Sequence, residues 1–282
     1  MKLVRFGAVG AERPGLVDGA GAVRDLSGHV PDFVGDTLGP ATLGRLRALD
    51  PASLPLAPAG VRLGAPVGRV WNFVAVGLNF SDHAAETNSP IPTEPILFNK
   101  LGNSIVGPND DIMVPKGSLK LDYEVEIAFV VGTRARYVEA GDALGHIAGY
   151  TICNDVSERH FQVERKGQWM KGKCFETAGP LGPWLVTTDE VPDPGNLAMW
   201  LDVNGARRQS GTTANMIFSI PYLLSYISQF MVLEPGDVVT TGTPAGVALG
   251  MKPPVWLTPG DELSLGIAGL GTQRQRVVPF RM

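Results

Sequence analysis

The sequence predicts a β-rich α+β protein, with a small N-terminal domain and linker over residues 1–66 and a larger domain over residues 67–282. Three observations carry this expectation. The 282 residues include 35 glycines and 23 prolines, punctuation that favours many short strands and turns over a helical bundle. Apolar segments at 70–76, 125–131 and 238–241 are short, rich in β-branched residues and bounded by Gly or Pro, as strands of a mixed sheet are. Helical spacing over 217–233 brings Ile220, Leu223, Leu224, Ile227, Phe230 and Met231 onto one face, with Pro221 suited to a first turn.

Along the chain, a strand-like start leads to the turn Asp18-Gly19-Ala20-Gly21 and a short helical candidate at 41–49. Prolines at 51, 55 and 58 then forbid helix and remove backbone donors, so 51–58 reads as an extended linker and a domain boundary. No internal repeat or low-complexity tract interrupts the remainder. A chain of this length can bury a substantial core without disulfides.

Composition narrows the partners. A net charge of -4 and the absence of any Lys/Arg run offer nucleic acid no basic field. Segment 217–233 contains Pro221, Ser225, Ser228 and Gln229 and falls short of a membrane span. Lys2, Arg5 and Gly7 break the N-terminus before it forms a signal-peptide apolar region. The two cysteines, Cys153 and Cys174, lack zinc-like spacing and read as structural thiols in a reducing cytoplasm. The expected partner is a small molecule or a second copy of the chain.

Chemistry concentrates first in 121–131, where Glu124 and Glu126 stand two apart and so project from one side of a strand. Adjacent carboxylates in an otherwise apolar strand repel and lose hydration, a cost relieved by protonation or a cation. Oxygen donors of this type suit magnesium, manganese or calcium. The alternative is an edge strand whose glutamates face water. Asp155, where the apolar run 149–153 turns polar, is a candidate third ligand or simply a turn residue.

These residues resemble the fumarylacetoacetate hydrolase family, whose Glu-x-Glu and later Asp are matched by Glu124, Glu126 and Asp155. The resemblance extends to His83 and Glu86 in a His-x-x-Glu segment, to Arg159 and Gln162 after the aspartate, to Lys173, and to Thr243 in Thr241-Gly242-Thr243-Pro244-Ala245-Gly246. Segments 167–173 and 180–190 resemble bacterial members that hydrolyse 2,4-diketo-3-deoxy sugar acids, the rhamnonate and fuconate derivatives. Cys174 is a departure, standing where serine is more usual. The resemblance implies a mixed β-sandwich roll, Mg2+ or Mn2+ held by Glu124, Glu126 and Asp155, and a homodimer. It further implies cleavage of the C3–C4 bond of an acylpyruvate to pyruvate and a hydroxy acid such as lactate. Competing readings are an oxaloacetate-type decarboxylase or tautomerase on the same site, a fumarylpyruvate hydrolase, and a non-catalytic metal-binding protein.

Within that frame the residues take distinct expected roles. His83 and Glu86 share a helix face and form a candidate water-activating pair, the alternative being a solvated helix surface. Lys173 sits among Arg165, Lys166 and Lys171 and either belongs to a solvated basic loop or neutralises a substrate oxyanion. Arg159 either binds substrate or pairs with Glu158 at the surface, and Gln162 is a second polar candidate. Thr243 offers a hydroxyl to a carboxylate from a glycine-bounded loop that lacks the Gly-Lys-Ser/Thr ending of a nucleotide site. His29, His146 and His160 are assigned structural or surface roles.

Overall fold

A computed structural model describes residues 1–282. Its large sheet contains strands β1 (Lys2–Phe6), β2 (Arg13–Val17), β3 (Val23–Asp25), β4 (Phe73–Gly77), β5 (Ile96–Lys100), β6 (Val125–Val131), β7 (Ile147–Asn154) and β8 (Gly179–Thr187). Strands β9 (Ala198–Val203) and β10 (Ala206–Thr212) form a hairpin, followed by β11 (Val238–Thr240), β12 (Glu262–Ile267) and β13 (Gly271–Val278). The large sheet runs β3-β2-β1-β8-β7-β6-β11-β4-β5, and the smaller one runs β10-β9-β12-β13 with Ile112–Met113 on its far edge. Helices are few: α1 (Pro40–Arg47), α2 (Ser81–Glu86), α3 (Met170–Lys173) and α4 (Ile220–Ser228). None is long and apolar enough to cross a membrane. The expected β-rich α+β architecture is what the chain adopts.

β6 runs antiparallel to both β7 and β11, and all seven of its residues are buried. Val125, Ile127 and Phe129 enter a core shared with Met199, Leu201 and Leu265 of the smaller sheet and Leu223 of α4. Ala128 and Val130 enter a second core with Leu3, Leu16 and Leu26 of the N-terminal segment. This alternation, set by the two-residue period of a strand, makes β6 the wall common to both cores.

Residues 1–66 share that continuous sheet, because Lys2 and Leu3 of β1 pair with Val186 and Leu185 of β8. Segment 51–58 is docked: Asp25 and Ala57 exchange backbone bonds with Pro55 and Val23, and Leu54 is buried. Two other expectations change in detail. The segment 121–131 divides into Leu121–Asp122, which pairs with Ser157–Glu158, and β6 proper. The helix in 217–233 stops at Ser228, and Phe230 is 65% exposed because it lies beyond the last turn.

Candidate active site

The register of β6 against β7 places Val125 opposite Asn154, so the residues just outside both strand ends, Glu124 and Asp155, become neighbours. The Asp155 N–H donates to Glu124 O at 2.9 Å. One carboxylate oxygen from each of Glu124, Glu126 and Asp155 lies within 4.8 Å of the others, and all three residues are buried. β6 is internal to the sheet, which removes the water-facing edge alternative.

Cations surround this group unevenly. Lys173 Nζ donates to Glu124 Oε2 at 2.5 Å and Asp155 Oδ2 at 2.7 Å. Arg159 donates through Nη2 to Glu124 Oε1 at 2.6 Å, through Nε to Asp122 Oδ2 at 2.9 Å, and through Nη1 to Gln162 Oε1 at 3.0 Å. The expected surface pair between Arg159 and Glu158 does not form, since Glu158 instead accepts from the backbone N–H groups of Leu119, Lys120 and Phe161. Glu126 has only the Gly242 N–H, at 3.0 Å.

The electrostatic consequence is a split between the two glutamates. Burial opposes ionisation of Glu124, but Arg159 and Lys173 hold its carboxyl well below the usual range. Burial and the neighbouring Asp155 and Glu124 carboxylates push Glu126 well above it. For Lys173, burial opposes the charge, yet Asp155 and Glu124 overcome that cost and raise its pKa. Three convergent hard oxygen donors, one lacking a cationic partner, fit a divalent metal ion.

His83 Nδ1 lies 3.2 Å from Glu86 Oε2 on α2, a contact that the three-residue spacing permits. Glu86 Oε1 also accepts from Gly246 N–H at 2.9 Å, locking the pair to the 241–246 loop. Thr243 differs from expectation in one respect: its hydroxyl donates to Val125 O, while Gln209 Nε2 donates to Thr243 Oγ1. The residue therefore ties its loop to β6 and does not hold a free donor for a carboxylate.

Eight of the nine residues named from sequence line a single cavity of about 210 Å³, with Glu86 behind His83. Sequence reasoning missed four contributors. Lys100 is buried and donates to Asp155 Oδ1 at 2.6 Å and to the carbonyls of Lys173 and Ala178. Asp122 anchors Arg159 and accepts from the Ala248 and Leu249 N–H groups. Gln209 braces Thr243, and Ser157 Oγ lies 3.3 Å from Glu124 Oε2. A lysine closing the strand 96–100 was the one available signal, because a charged residue there needs a buried partner.

Fold and cavity together define a protein with an acidic small-molecule pocket set against the large sheet, lined by its residues Val76, Gly77, Ile96, Phe98 and Glu126 and by the helices and loops around them. A family model described as fumarylacetoacetate hydrolase C-terminal matches residues 72–278, and the chain belongs to the fumarylacetoacetate hydrolase family. It is 55% identical to a Burkholderia cenocepacia protein that carries a hydrolase name without a substrate, over 98% of each chain. A fumarylacetoacetate hydrolase from Exiguobacterium antarcticum superposes with a TM-score of 0.87 at 37% identity, covering 99% of this chain and 100% of that one. A maleylpyruvate hydrolase from Sphingobium sp. SYK-6, solved with manganese(II) and pyruvate, superposes at 0.82 with 27% identity over all of both chains.

Proposed function

We propose that this enzyme hydrolyses the C3–C4 bond of an acylpyruvate, with 2,4-diketo-3-deoxy-L-rhamnonate or its fuconate counterpart as the substrate, giving pyruvate and lactate. The observation that carries this reading is the His83–Glu86 pair at 3.2 Å, with His83 lining the same cavity as three converging carboxylates and Lys173. Decarboxylation requires neither an attacking water nor a base to activate it, so a positioned base pair favours hydrolysis over decarboxylation.

Glu124, Glu126 and Asp155 would hold Mg2+ or Mn2+, which when bound supplies Lewis-acid chelation of the substrate carboxylate and 2-oxo oxygen. His83, oriented by Glu86, takes a proton from water, and the water oxygen attacks C4. An ammonium has three N–H bonds and Lys173 uses two on carboxylates, leaving one for the substrate. Gln162 accepts from Arg159 through its carbonyl oxygen, which turns its NH2 outward as a donor. These two groups stabilise the C4 oxyanion. Its collapse breaks C3–C4, the electron pair passes to the enolate of pyruvate, and a proton at C3 completes the reaction.

The test is turnover of acylpyruvates, including the two sugar-acid derivatives, with and without Mg2+ or Mn2+, following pyruvate and the hydroxy acid together. Stoichiometric release of both is expected, and His83→Ala should reduce it by about 10²- to 10⁴-fold while leaving oxalate binding intact. Carbon dioxide from oxaloacetate with no acylpyruvate cleaved would replace this reading with a decarboxylase. The same reading carries a homodimer and a reducing cytoplasmic setting, which the two free cysteines support.

A further inference from the structure

We infer that the cavity selects 2-oxo acids with one carboxylate and an uncharged tail, and rejects those with a second carboxylate at the far end. This rests on the acylpyruvate reading above, which seats the 2-oxo acid head at the three carboxylates and Lys173.

Two permanently cationic side chains line the cavity, Arg159 and Lys173. Arg159 carries its charge against the carboxylates of Asp122 and Glu124 and uses three of its five N–H bonds on these two residues and Gln162. Lys173 is paired with Glu124 and Asp155 through two N–H bonds, and the third is the one that the acylpyruvate reading commits to the C4 oxygen. Lys100 lies behind Asp155 with its three N–H bonds all donated and does not reach the cavity wall. His83, the remaining basic group in the wall, faces Glu86.

The apolar part of the wall includes Ile96, Phe98, Val163, Trp169 and Leu249, with Lys173 Nζ 5.2 Å from the Phe98 ring centroid. Phe98 and Trp169 meet edge to face at 5.3 Å between centroids. Gly77 makes room for this arrangement, because a Cβ there would stand 2.5 Å from the Trp169 ring. Small polar groups are limited to hydroxyls: Thr87 Oγ1 donates to His83 O and lies 3.0 Å from Ser89 Oγ.

Charge balance points the same way. With the His83–Glu86 pair set apart, the four acids Asp122, Glu124, Glu126 and Asp155 outnumber the three bases Lys100, Arg159 and Lys173 by one charge when all are ionised. A divalent cation reverses that surplus, and a single substrate carboxylate cancels it. A second carboxylate would lie against partly exposed apolar side chains with no unpaired cation beside them, losing part of its hydration without gaining a counter-charge, which is unfavourable. A methyl or singly hydroxylated tail loses little water there and gains contact with the two aromatic rings.

The experiment is calorimetric titration of the Mn2+-loaded enzyme with 2-oxohexanoate and with 2-oxoadipate. These ligands differ by a terminal methyl against a terminal carboxylate, and neither carries the C4 carbonyl that the proposed cleavage requires. The expected result is tighter binding of 2-oxohexanoate by about tenfold or more. Val163→Arg, at an exposed position of the cavity wall, should narrow or reverse that ratio by supplying the missing cation. Equal affinities, tighter 2-oxoadipate, or failure of both to bind would overturn the selectivity, as would an unchanged ratio in V163R. The comparison needs no turnover. An intact ratio without acylpyruvate hydrolysis would sink the proposed reaction alone, whereas hydrolysis with a reversed ratio would sink the selectivity alone.

Discussion

Two clusters of acids and bases in this protein are assembled from the same residue types and behave oppositely. Near the N-terminus, Arg62 makes a two-pronged contact with Asp110 at 2.8 and 2.5 Å and a third with Glu12 at 2.9 Å, while Arg5 pairs with Asp32 at 2.6 Å. Every carboxylate there has a guanidinium, and Arg62 keeps 28% of its side chain exposed. In the cavity, three buried carboxylates converge and Glu126 forms no ion pair, its one hydrogen bond coming from Gly242 N–H. Paired charges at a wet boundary tether the N-terminal segment to the body. Unpaired charge in a buried site stores repulsion that a metal ion can relieve.

The contrast is broken most severely by Glu126→Gln. Removing the unpartnered carboxylate should lower metal-dependent turnover on the order of a thousandfold or more, while the metal-free protein melts at the same or a higher temperature. Full activity in that variant would remove the carboxylate site from consideration, and a collapsed melting temperature would mean that Glu126 stabilises the fold. Lys100→Met attacks the cavity from behind. Asp155 and the carbonyls of Lys173 and Ala178 lose their donor, so a destabilisation of about 3–5 kcal/mol is expected. Thermal or urea unfolding reads it, and an unchanged midpoint would show that the lysine is not required to bury Asp155.

Smaller effects belong to the N-terminal cluster. Arg62→Met should cost about 1 kcal/mol, because its pairs are partly solvated, and the loss should shrink in high salt. A destabilisation as large as that of Lys100→Met would erase the distinction between tether and site. The smallest effect is a pH dependence. Burial tends to raise the Glu12 carboxyl, but hydrogen bonding to Arg62 and the charges of Arg5 and Arg62 hold it below its ordinary value of 4.5. A depressed folded value means that this contribution is complete above 4.5 and is lost as pH falls through the lower folded value. Denaturation from neutral pH to below that range should show a shallower loss in R62M than in the unaltered protein, and parallel curves would separate Glu12 from the effect.

Much of the site was legible before any coordinates. A strand's two-residue period put Glu124 and Glu126 together, helical spacing paired His83 with Glu86, and the motif order carried the resemblance to Asp155, Arg159, Gln162 and Lys173. The fold class followed from short β-branched segments between glycines and prolines. Asp122, Ser157 and Gln209 were not legible, and Lys100 only as a charge closing a strand, because each acts through a partner distant in sequence that the fold brings near. Thr243 was found but its hydroxyl was misread, since the acceptor of its hydrogen bond, Val125 O, is 118 residues away in sequence.

The division has a physical basis. Local periodicity is written in neighbouring residues, so the sequence by itself determined which side chains share a strand face or a helix face, and which donor types are present. Only the tertiary structure decided how charge is distributed among them. The register of β6 against β7 brings Asp155 to Glu124, and the burial of that junction turns a row of acids into a low-dielectric site where Glu124 stays ionised and Glu126 resists ionisation. Desolvation and the positions of Lys173 and Arg159 are properties of packing, and they set the chemistry that the motif alone names.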